Sequence, residues 1–222
     1  MSGILTALAD AGFIAVTEIT DAARAIPLAA ALLQGGVRAM EVAFRDPERL
    51  AESANAIAQI RRSCPDMLVG GATIRNAELA AQATDAGAQF LLSAGFNPST
   101  VSYCANRKLL LIPGLCTPGE VEQALSAGIE TVKFFPAHVF GGSAMLKALA
   151  GPYPNVRFVV SGGVNAENAP AYLALKNVAA ISGSWVAPKA AIAGGDFDAI
   201  KTRASEVAAL IDAARSQSCL PR

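Results

Sequence analysis

The sequence has a single histidine, His138, and only 6% aromatic residues. Its four cysteines are Cys64, Cys104, Cys116 and Cys219, and no two of them stand in C-x-x-C spacing. The usual ligand pattern of a zinc site is therefore missing. No nucleophile elbow accompanies the histidine, which argues against Ser-His-Asp or Cys-His catalysis. We expect no metal site, and we expect the cysteines to be reduced and structural.

Charge of either sign is also scarce. Charged residues make up 16% of the 222, and 18 basic residues balance 18 acidic ones. This balance lacks the basic excess of proteins that bind nucleic acids or polyanionic membranes. No apolar run reaches the length of a membrane span, and the start, Met-Ser-Gly-Ile-Leu, lacks the basic region of a signal peptide. We expect a soluble cytoplasmic protein without nucleic-acid or membrane partners.

What the chain does have is abundant apolar material, with 53% hydrophobic residues. Short apolar runs typical of β-strands recur at intervals of roughly 20–30 residues. There are eight of them, which predicts eight strands. The predicted strands are Phe13–Glu18, Ala39–Ala43, Met67–Thr73, Gln89–Ser93, Leu109–Pro113, Thr131–Phe135, Arg157–Ser161 and Ala180–Ser184.

Amphipathic, alanine-rich segments typical of helices separate these runs, and several end in glycine, as helices often do. Strands that alternate with helices predict βα units and a parallel sheet. Eight units favour an α/β (β/α)8 TIM barrel with an extra N-terminal helix, forming one domain over residues 1–222. A doubly wound open sheet is the alternative. The clearest helical segments are Ala22–Gln34, Pro47–Ser63, Asn76–Ala86, Pro118–Ala127 and a closing helix from Asp196 to about Arg215.

One lysine stands in the middle of an apolar strand. Side chains alternate along a strand, so Thr131, Lys133 and Phe135 share one face. Lysine is seldom buried, because desolvating an ammonium group is costly. Burial also favours the free amine, which is what Schiff-base chemistry on a carbonyl requires. The alternative is an edge-strand lysine whose amine reaches solvent.

Other predicted strands end in residues suited to the same chemistry. Glu41 and Arg45 share a strand face, where they could serve catalysis or simply form an ion pair. Ser161-Gly162-Gly163 and Gly183-Ser184 follow neighbouring strands. There a barrel of this kind binds phosphate through backbone N–H groups and a helix N-terminus, although glycines can also mark plain turns. Together these features suggest a lysine-dependent aldolase for a phosphorylated 2-keto acid.

Several segments carry a family resemblance. They are Leu111-Ile-Pro-Gly114, Lys133-Phe-Phe-Pro-Ala137, Gly141-Gly142, Arg157-Phe-Val-Val-Ser-Gly-Gly163, Gly183-Ser-Trp185, and Gly35-Gly-Val-Arg-Ala-Met-Glu41 with Arg45. Over most of the chain, the sequence resembles the 2-keto-3-deoxy-6-phosphogluconate (KDPG) / 4-hydroxy-2-oxoglutarate (KHG) aldolase family. The resemblance implies a class I aldolase on a (β/α)8 barrel, a homotrimer that needs no metal or other cofactor because its substrate is held as a Schiff base. The implied reaction is the reversible cleavage of KDPG to pyruvate and glyceraldehyde 3-phosphate, or of KHG to pyruvate and glyoxylate.

The resemblance also implies residue roles at matching positions. Lys133 is the implied Schiff-base lysine, and Glu41 is the implied general acid/base, which relays protons through a water molecule. The implied substrate-binding residues are Arg45 and Thr73 for the pyruvyl carboxylate, Gly162, Gly163 and Ser184 for the phosphate, Ser161 where the family usually has threonine, and Phe135.

Three positions depart from the family pattern. Ala94 replaces a usual proline, which predicts a looser turn, and Ala72 adds a methyl group near the pyruvyl pocket. Glu18 ends the first strand, where it is either a rim charge or a carboxylate that repels an anionic substrate group within a Debye length of about 8–10 Å. The aldehyde product and its phosphorylation therefore stay open.

Two other functions fit part of the pattern. A phosphate-binding isomerase or epimerase of the ribulose-phosphate type would share the glycine loops but would not need an imine-forming Lys133. A non-catalytic barrel that binds sugar acids is the other alternative. We place His138 near the mouth of the site, and we expect Trp185 to pack in the core or at the rim.

Overall fold

The computed structural model describes residues 2–218, with side chains from 3 to 216, so Cys219 lies outside the described residues. Within this range the chain alternates between parallel strands and helices. The strands are β1 (Phe13–Thr17), β2 (Ala39–Ala43), β3 (Leu68–Ala72), β4 (Leu91–Leu92), β5 (Leu111–Ile112), β6 (Gly114–Leu115), β7 (Thr131–Phe134), β8 (Arg157–Ser161) and β9 (Val178–Gly183).

The helices lie between and around these strands. Two of the predicted helices begin with a 3-10 turn, at Ala22–Arg24 and Pro47–Arg49, before the α-helix proper. The α-helices are α1 (Ser2–Ala11), α2 (Ala25–Gln34), α3 (Leu50–Ser63), α4 (Ala77–Asp85), α5 (Pro98–Asn106), α6 (Pro118–Ser126), α7 (Gly142–Ala150), α8 (Ala169–Leu173), α9 (Lys189–Gly194) and α10 (Phe197–Ser218).

The nine strands form one parallel sheet in the order β5-β4-β3-β2-β1-β9-β8-β7-β6. Strand β1 pairs with both β2 and β9, so the first and last strands of the chain are neighbours. The two ends of this order, β5 and β6, are separated in the chain by Pro113 alone. The sheet is thus a nearly closed barrel, which confirms the predicted α/β class and parallel sheet and excludes the doubly wound alternative.

The predicted strand Leu109–Pro113 is the main local difference. Proline has no N–H group to donate to a ladder, and at Pro113 the chain changes partners. Strand β5 pairs with β4, and β6 pairs with β7. Helices α5, α7, α8 and α9 have at most nine residues each, and the sequence alone did not single them out.

An apolar layer fills the barrel beneath the carboxyl ends of the strands. Leu8 of α1 packs with this layer, so the first helix covers the amino ends of the strands. Apolar filling excludes water from the lower barrel and leaves the upper ends for polar groups. The buried residues of the layer are Ile14, Ala39, Phe90, Leu92, Ile112 and Val159.

The cysteines that the structure describes are free. Cys64 and Cys104 are buried and Cys116 is partly buried. Burial raises the pKa of the Cys104 thiol to about 11, so little of it is the reactive thiolate at neutral pH. Among residues 2–218, no helix is both long and apolar enough to span a membrane.

Candidate active site

A cavity of about 160 Å³ opens at the carboxyl ends of the strands. All nine site residues expected from the sequence line it, although they come from five separate parts of the chain. Its floor follows from strand alternation, because Glu41 and Ser161 stand two residues beyond the apolar interior residues Ala39 and Val159. The expected residues in its wall are Glu41, Arg45, Thr73, Lys133, Phe135, Ser161, Gly162, Gly163 and Ser184.

The centre of the cavity holds a buried ion pair. Lys133 Nζ lies 3.3 Å from Glu41 Oε1, and the two side chains are 8% and 1% exposed. Phe135 lies on the same strand face, and its ring centre is 5.6 Å from Lys133 Nζ. Desolvation makes such a pair costly, so it is weak evidence for a purely stabilising role. An amine beside a carboxylate in a small polar cavity can instead form an imine and exchange protons.

Ser182 is a site residue that the sequence reasoning missed. Its side chain is fully buried, and its Oγ lies 3.4 Å from Glu41 Oε1 and 3.3 Å from Ser161 Oγ. Strand register explains the second contact, because Ser161 pairs with Ser182 across β8 and β9. Strand parity could have found it, since Ser182 stands two residues before Ser184 and shares its face.

The two oxygens of the Glu41 carboxylate have different surroundings. Oε1 contacts Lys133 and Ser182, whereas Oε2 is buried without a hydrogen-bond partner among the described residues. The main chain of Glu41 is fixed separately, because Thr17 Oγ1 donates to its carbonyl oxygen at 2.9 Å. An unpaired buried carboxylate oxygen is costly. The contacts with Lys133 and Ser182 thus both fall on one oxygen of the carboxylate, Oε1.

The wall formed by β3 and β4 contains a strained residue. Thr73 has a φ of 60°, a conformation that is a genuine outlier for a β-branched residue and that often marks a binding site. Ala72 and Ala94 also line the cavity. The turn at Ala94 is tied in place, because Ser93 Oγ donates to the Gly95 carbonyl at 2.8 Å and accepts from Gly114 N at 3.2 Å.

The glycine loop after β8 is shaped by its own backbone. Gly162 and Gly163 have φ values of 91° and 78°, and a Cβ on Gly163 would lie 2.5 Å from His138 Cβ. The expected helix N-terminus is not at this loop, because α8 begins only at Ala169. Asn168 bridges the gap, with its amide donating to the Gly163 carbonyl at 2.8 Å. Any anion at this loop would therefore meet backbone N–H groups rather than a helix end.

Glu18 lies at the mouth and contacts two cations. Its Oε2 is 3.6 Å from Arg45 Nη1, and its Oε1 contacts Lys189 Nζ. The ion pair considered between Glu41 and Arg45 is thus replaced by two others, Glu41 with Lys133 and Glu18 with Arg45. Glu18, Arg45 and Lys189 also line a second recess of about 320 Å³ that shares Val16, Arg45 and Ser184 with the first cavity.

Two other residues noted from the sequence lie outside the cavity wall. His138 is exposed, and its side chain lies next to Gly163. The Trp185 ring packs edge-on against Phe13, with ring centres 4.9 Å apart, and lies over Gly183. Within residues 2–218, no three His, Cys, Asp or Glu side chains are grouped to hold a metal ion.

The family model and the known sequences that match this chain belong to the same family. The family model described as KDPG and KHG aldolase matches residues 4–203. The 2-dehydro-3-deoxy-phosphogluconate aldolase of Treponema pallidum (strain Nichols) is 46% identical over 200 residues, which cover 90% of this chain and 93% of the relative. The KHG/KDPG aldolase of Escherichia coli (strain K12) is 40% identical over 183 residues, covering 82% and 84%.

Solved structures of similar shape point the same way. The KDPG aldolase of Legionella pneumophila, with pyruvate captured as a covalent carbinolamine, superposes with a TM-score of 0.86 at 33% identity and covers 93% of this chain and 98% of that one. The KDPG aldolase of Zymomonas mobilis ZM4, with 3-phosphoglycerate, gives a TM-score of 0.81 at 34% identity, covering 94% and 95%. By sequence and by fold, the chain belongs to the KDPG and KHG aldolase family.

Proposed function

We propose that the protein is a class I aldolase that reversibly cleaves KDPG to pyruvate and glyceraldehyde 3-phosphate, and that it also accepts KHG. The observation that carries this proposal is the buried contact of 3.3 Å between Lys133 Nζ and Glu41 Oε1 in the cavity. The covalent pyruvate adduct of the Legionella relative supports an imine route. An isomerase, an epimerase or a binding protein would not need a buried lysine beside a carboxylate. Membership of the aldolase family also favours the aldolase over these alternatives.

The reaction begins at the Lys133 amine. Glu41 first takes a proton from Lys133, and the freed lone pair attacks the C2 ketone of the substrate and forms a carbinolamine. Glu41 then returns the proton, so that the hydroxyl leaves as water. The product is an iminium ion that joins Lys133 Nζ to C2. The apolar layer beneath the cavity keeps bulk water away from this step.

Cleavage of C3–C4 then uses the iminium ion as an electron sink. The Glu41 carboxylate, directly or through a water molecule, removes the proton of the C4 hydroxyl. The C3–C4 bonding electrons move into the iminium system, which leaves an enamine on Lys133 and releases the aldehyde. Protonation of the enamine at C3 and hydrolysis of the resulting iminium ion release pyruvate and restore the free amine.

The other wall residues hold the two ends of the substrate. Arg45 and the strained Thr73 bind the pyruvyl carboxylate in our proposal, since guanidinium and hydroxyl groups suit a carboxylate. Phe135 packs against the chain of the substrate beside the imine. The phosphate lies against the N–H groups of the glycine loops, at the end of the cavity lined by Gly162, Gly163 and Ser184, and Ser161 lies between this end and the imine.

The same proposal includes the number of barrel strands, the cellular location, the oligomeric state and the need for a cofactor. Strands β5 and β6 count as one strand interrupted at Pro113, which gives a (β/α)8 barrel preceded by α1. The family resemblance favours a cytoplasmic homotrimer, and exposed Val139 and Phe140 are apolar surface that an oligomer could cover. No metal or other cofactor is needed, because Lys133 supplies the electron sink covalently. Light scattering coupled to size-exclusion chromatography measures the oligomeric state directly.

Reductive trapping tests the proposed function. The protein is mixed with pyruvate and sodium borohydride, and its intact mass and peptide map are measured. We expect one reduced pyruvyl adduct, located on Lys133. A matched variant, Lys147→Met, removes an exposed lysine of α7 and should trap pyruvate equally well. A folded protein that forms no adduct on Lys133 would refute the imine mechanism.

Glu18→Gln tests the charge arrangement at the mouth. Glu18 and the substrate carboxylate compete for Arg45 in our proposal, and the side chain of Arg45 is 63% exposed. Exposed ion pairs contribute about 0–1 kcal/mol, so we expect the KM for pyruvate in the aldol direction to fall about two- to fivefold, with kcat unchanged. The difference should shrink in about 1 M salt, where screening is strong.

The control for this prediction is Glu78→Gln, which removes one negative charge from an exposed position on α4. Its KM should match that of the wild-type protein at both salt concentrations. A Glu18→Gln protein with the KM of this control would mean that Glu18 does not compete for Arg45.

A further inference from the structure

Four polar groups form an unbroken series inside the barrel. Lys133 Nζ lies 3.3 Å from Glu41 Oε1, Glu41 Oε1 lies 3.4 Å from Ser182 Oγ, and Ser182 Oγ lies 3.3 Å from Ser161 Oγ. All four side chains are buried. The series crosses from β7 to β2, β9 and β8, and it links the imine-forming amine to the wall at which the other end of the substrate lies.

The central member, Ser182, has no exposed surface, so it cannot exchange its partners for bulk water. A buried hydroxyl group is stable only when its hydrogen bonds are made. Its two partners among the described residues are the side chains of Glu41 and Ser161. Both contacts are longer than the usual O–H···O distance, as is common at catalytic sites before a substrate is bound.

The chemistry of the groups fixes the direction of the hydrogen bonds. An ionised carboxylate can only accept, and a serine hydroxyl has one hydrogen to donate. When Glu41 is ionised, Ser182 must therefore donate to Glu41 Oε1 and accept from Ser161. The hydrogen of Ser161 then points into the series, and its oxygen presents lone pairs to the cavity, where it can accept from a substrate hydroxyl.

Protonation of Glu41 on Oε1 reverses the series. Glu41 then donates to Ser182, Ser182 donates to Ser161, and the Ser161 hydrogen turns towards the cavity. The two serine hydroxyl groups only rotate, and the new O–H bond on Glu41 replaces the O–H bond that breaks on the C4 oxygen of the substrate. The C4 oxygen of the substrate changes in the same sense, from a hydroxyl donor to an aldehyde acceptor, when Glu41 takes its proton.

We propose that Ser182 is a positioning residue that holds Glu41 and couples its protonation to the hydrogen-bonding direction of Ser161. This inference rests on the proposed function. It predicts that Ser182 acts on the proton-transfer steps and contributes little to substrate binding. It also predicts that Ser182 and Ser161 act as a unit, because removing either one interrupts the same series.

The test compares Ser182→Ala, Ser161→Ala and the double variant in KDPG cleavage and in the exchange of pyruvate methyl protons with D2O. We expect Ser182→Ala to lower both rates about tenfold, the size of one hydrogen bond to a charged group, with KM changed by less than about twofold. The double variant should be no slower than the slower single variant. Ser182→Thr, which keeps the hydroxyl group, should recover most of the rate.

The control is Ser53→Ala, which removes another buried serine hydroxyl, one that donates to the Ala43 carbonyl at 3.0 Å and does not line the cavity. It measures the effect of losing a buried hydroxyl on stability alone, and its kcat should equal that of the wild-type protein. A Ser182→Ala protein with the kcat of this control, or rate losses that multiply in the double variant, would overturn the inference. Failure of the wild-type protein to trap pyruvate would instead overturn the proposed function, so the two failures are distinguishable.

Discussion

Lys133→Met is expected to abolish aldolase activity and the borohydride-trapped pyruvate adduct together. No other described lysine lines the cavity, so no neighbouring amine can replace it. Loss of a covalent nucleophile commonly costs about 10⁶-fold in kcat, and we expect the variant to turn over KDPG at or near the background rate. Coupled detection of pyruvate measures the loss, and intact mass reports the adduct.

The structure also predicts a cost in stability for this variant. Methionine fills a volume close to that of lysine but leaves the Glu41 carboxylate buried without its counter-charge. Breaking one partner of a buried pair typically costs about 3–5 kcal/mol. The double variant Lys133→Met/Glu41→Gln removes both charges and should regain most of the lost unfolding free energy while staying inactive. A stable Lys133→Met protein that still released pyruvate from KDPG would exclude Lys133 as the nucleophile.

Local patterns in the sequence were sufficient to predict the positions of most strands and the strand face on which each side chain lies. The alternation in Thr131–Phe135 placed Lys133 and Phe135 on one face, and both line the cavity. This prediction rests on residues two apart along one strand direction, where the backbone itself fixes the relative directions of the side chains. Arg45 also lines the cavity, but it lies two residues beyond the end of β2, so its position depends on the segment after the strand.

What depended on contacts between distant segments was not predictable in this way. Ser182 meets Glu41 across 141 positions of sequence, and nothing local marks that contact. The pairing of Glu18 with both Arg45 and Lys189 likewise depends on how the segments after β1 and β2 meet the start of α9 at the mouth. The start of α8 at Ala169 was missed because Asn165 and Asn168 hydrogen-bond within the preceding turn and delay the helix.

Glu41→Gln is expected to lower kcat about 10²–10⁴-fold, the usual contribution of a positioned acid or base, while the fold stays intact. Glutamine has nearly the same shape, but its amide cannot take up and return a proton. The remaining cavity still contains Lys133, so the reduced pyruvyl adduct should form slowly and reach the wild-type amount. Exchange of the pyruvate methyl protons with D2O should fall in parallel with kcat.

This combination separates a proton-transfer role from a structural one. If Glu41 only balanced the charge of Lys133, Glu41→Gln would change the unfolding temperature and would leave the exchange rate per adduct unaltered. Glu52→Gln provides the comparison, because Glu52 Oε2 accepts from Ala22 N at 3.0 Å outside the cavity, so its loss reports the cost of a structural carboxylate alone. Unchanged turnover in Glu41→Gln would remove Glu41 from the mechanism. Proton exchange that falls with cleavage, while trapping still reaches completion, would assign to Glu41 the proton transfers that follow formation of the imine.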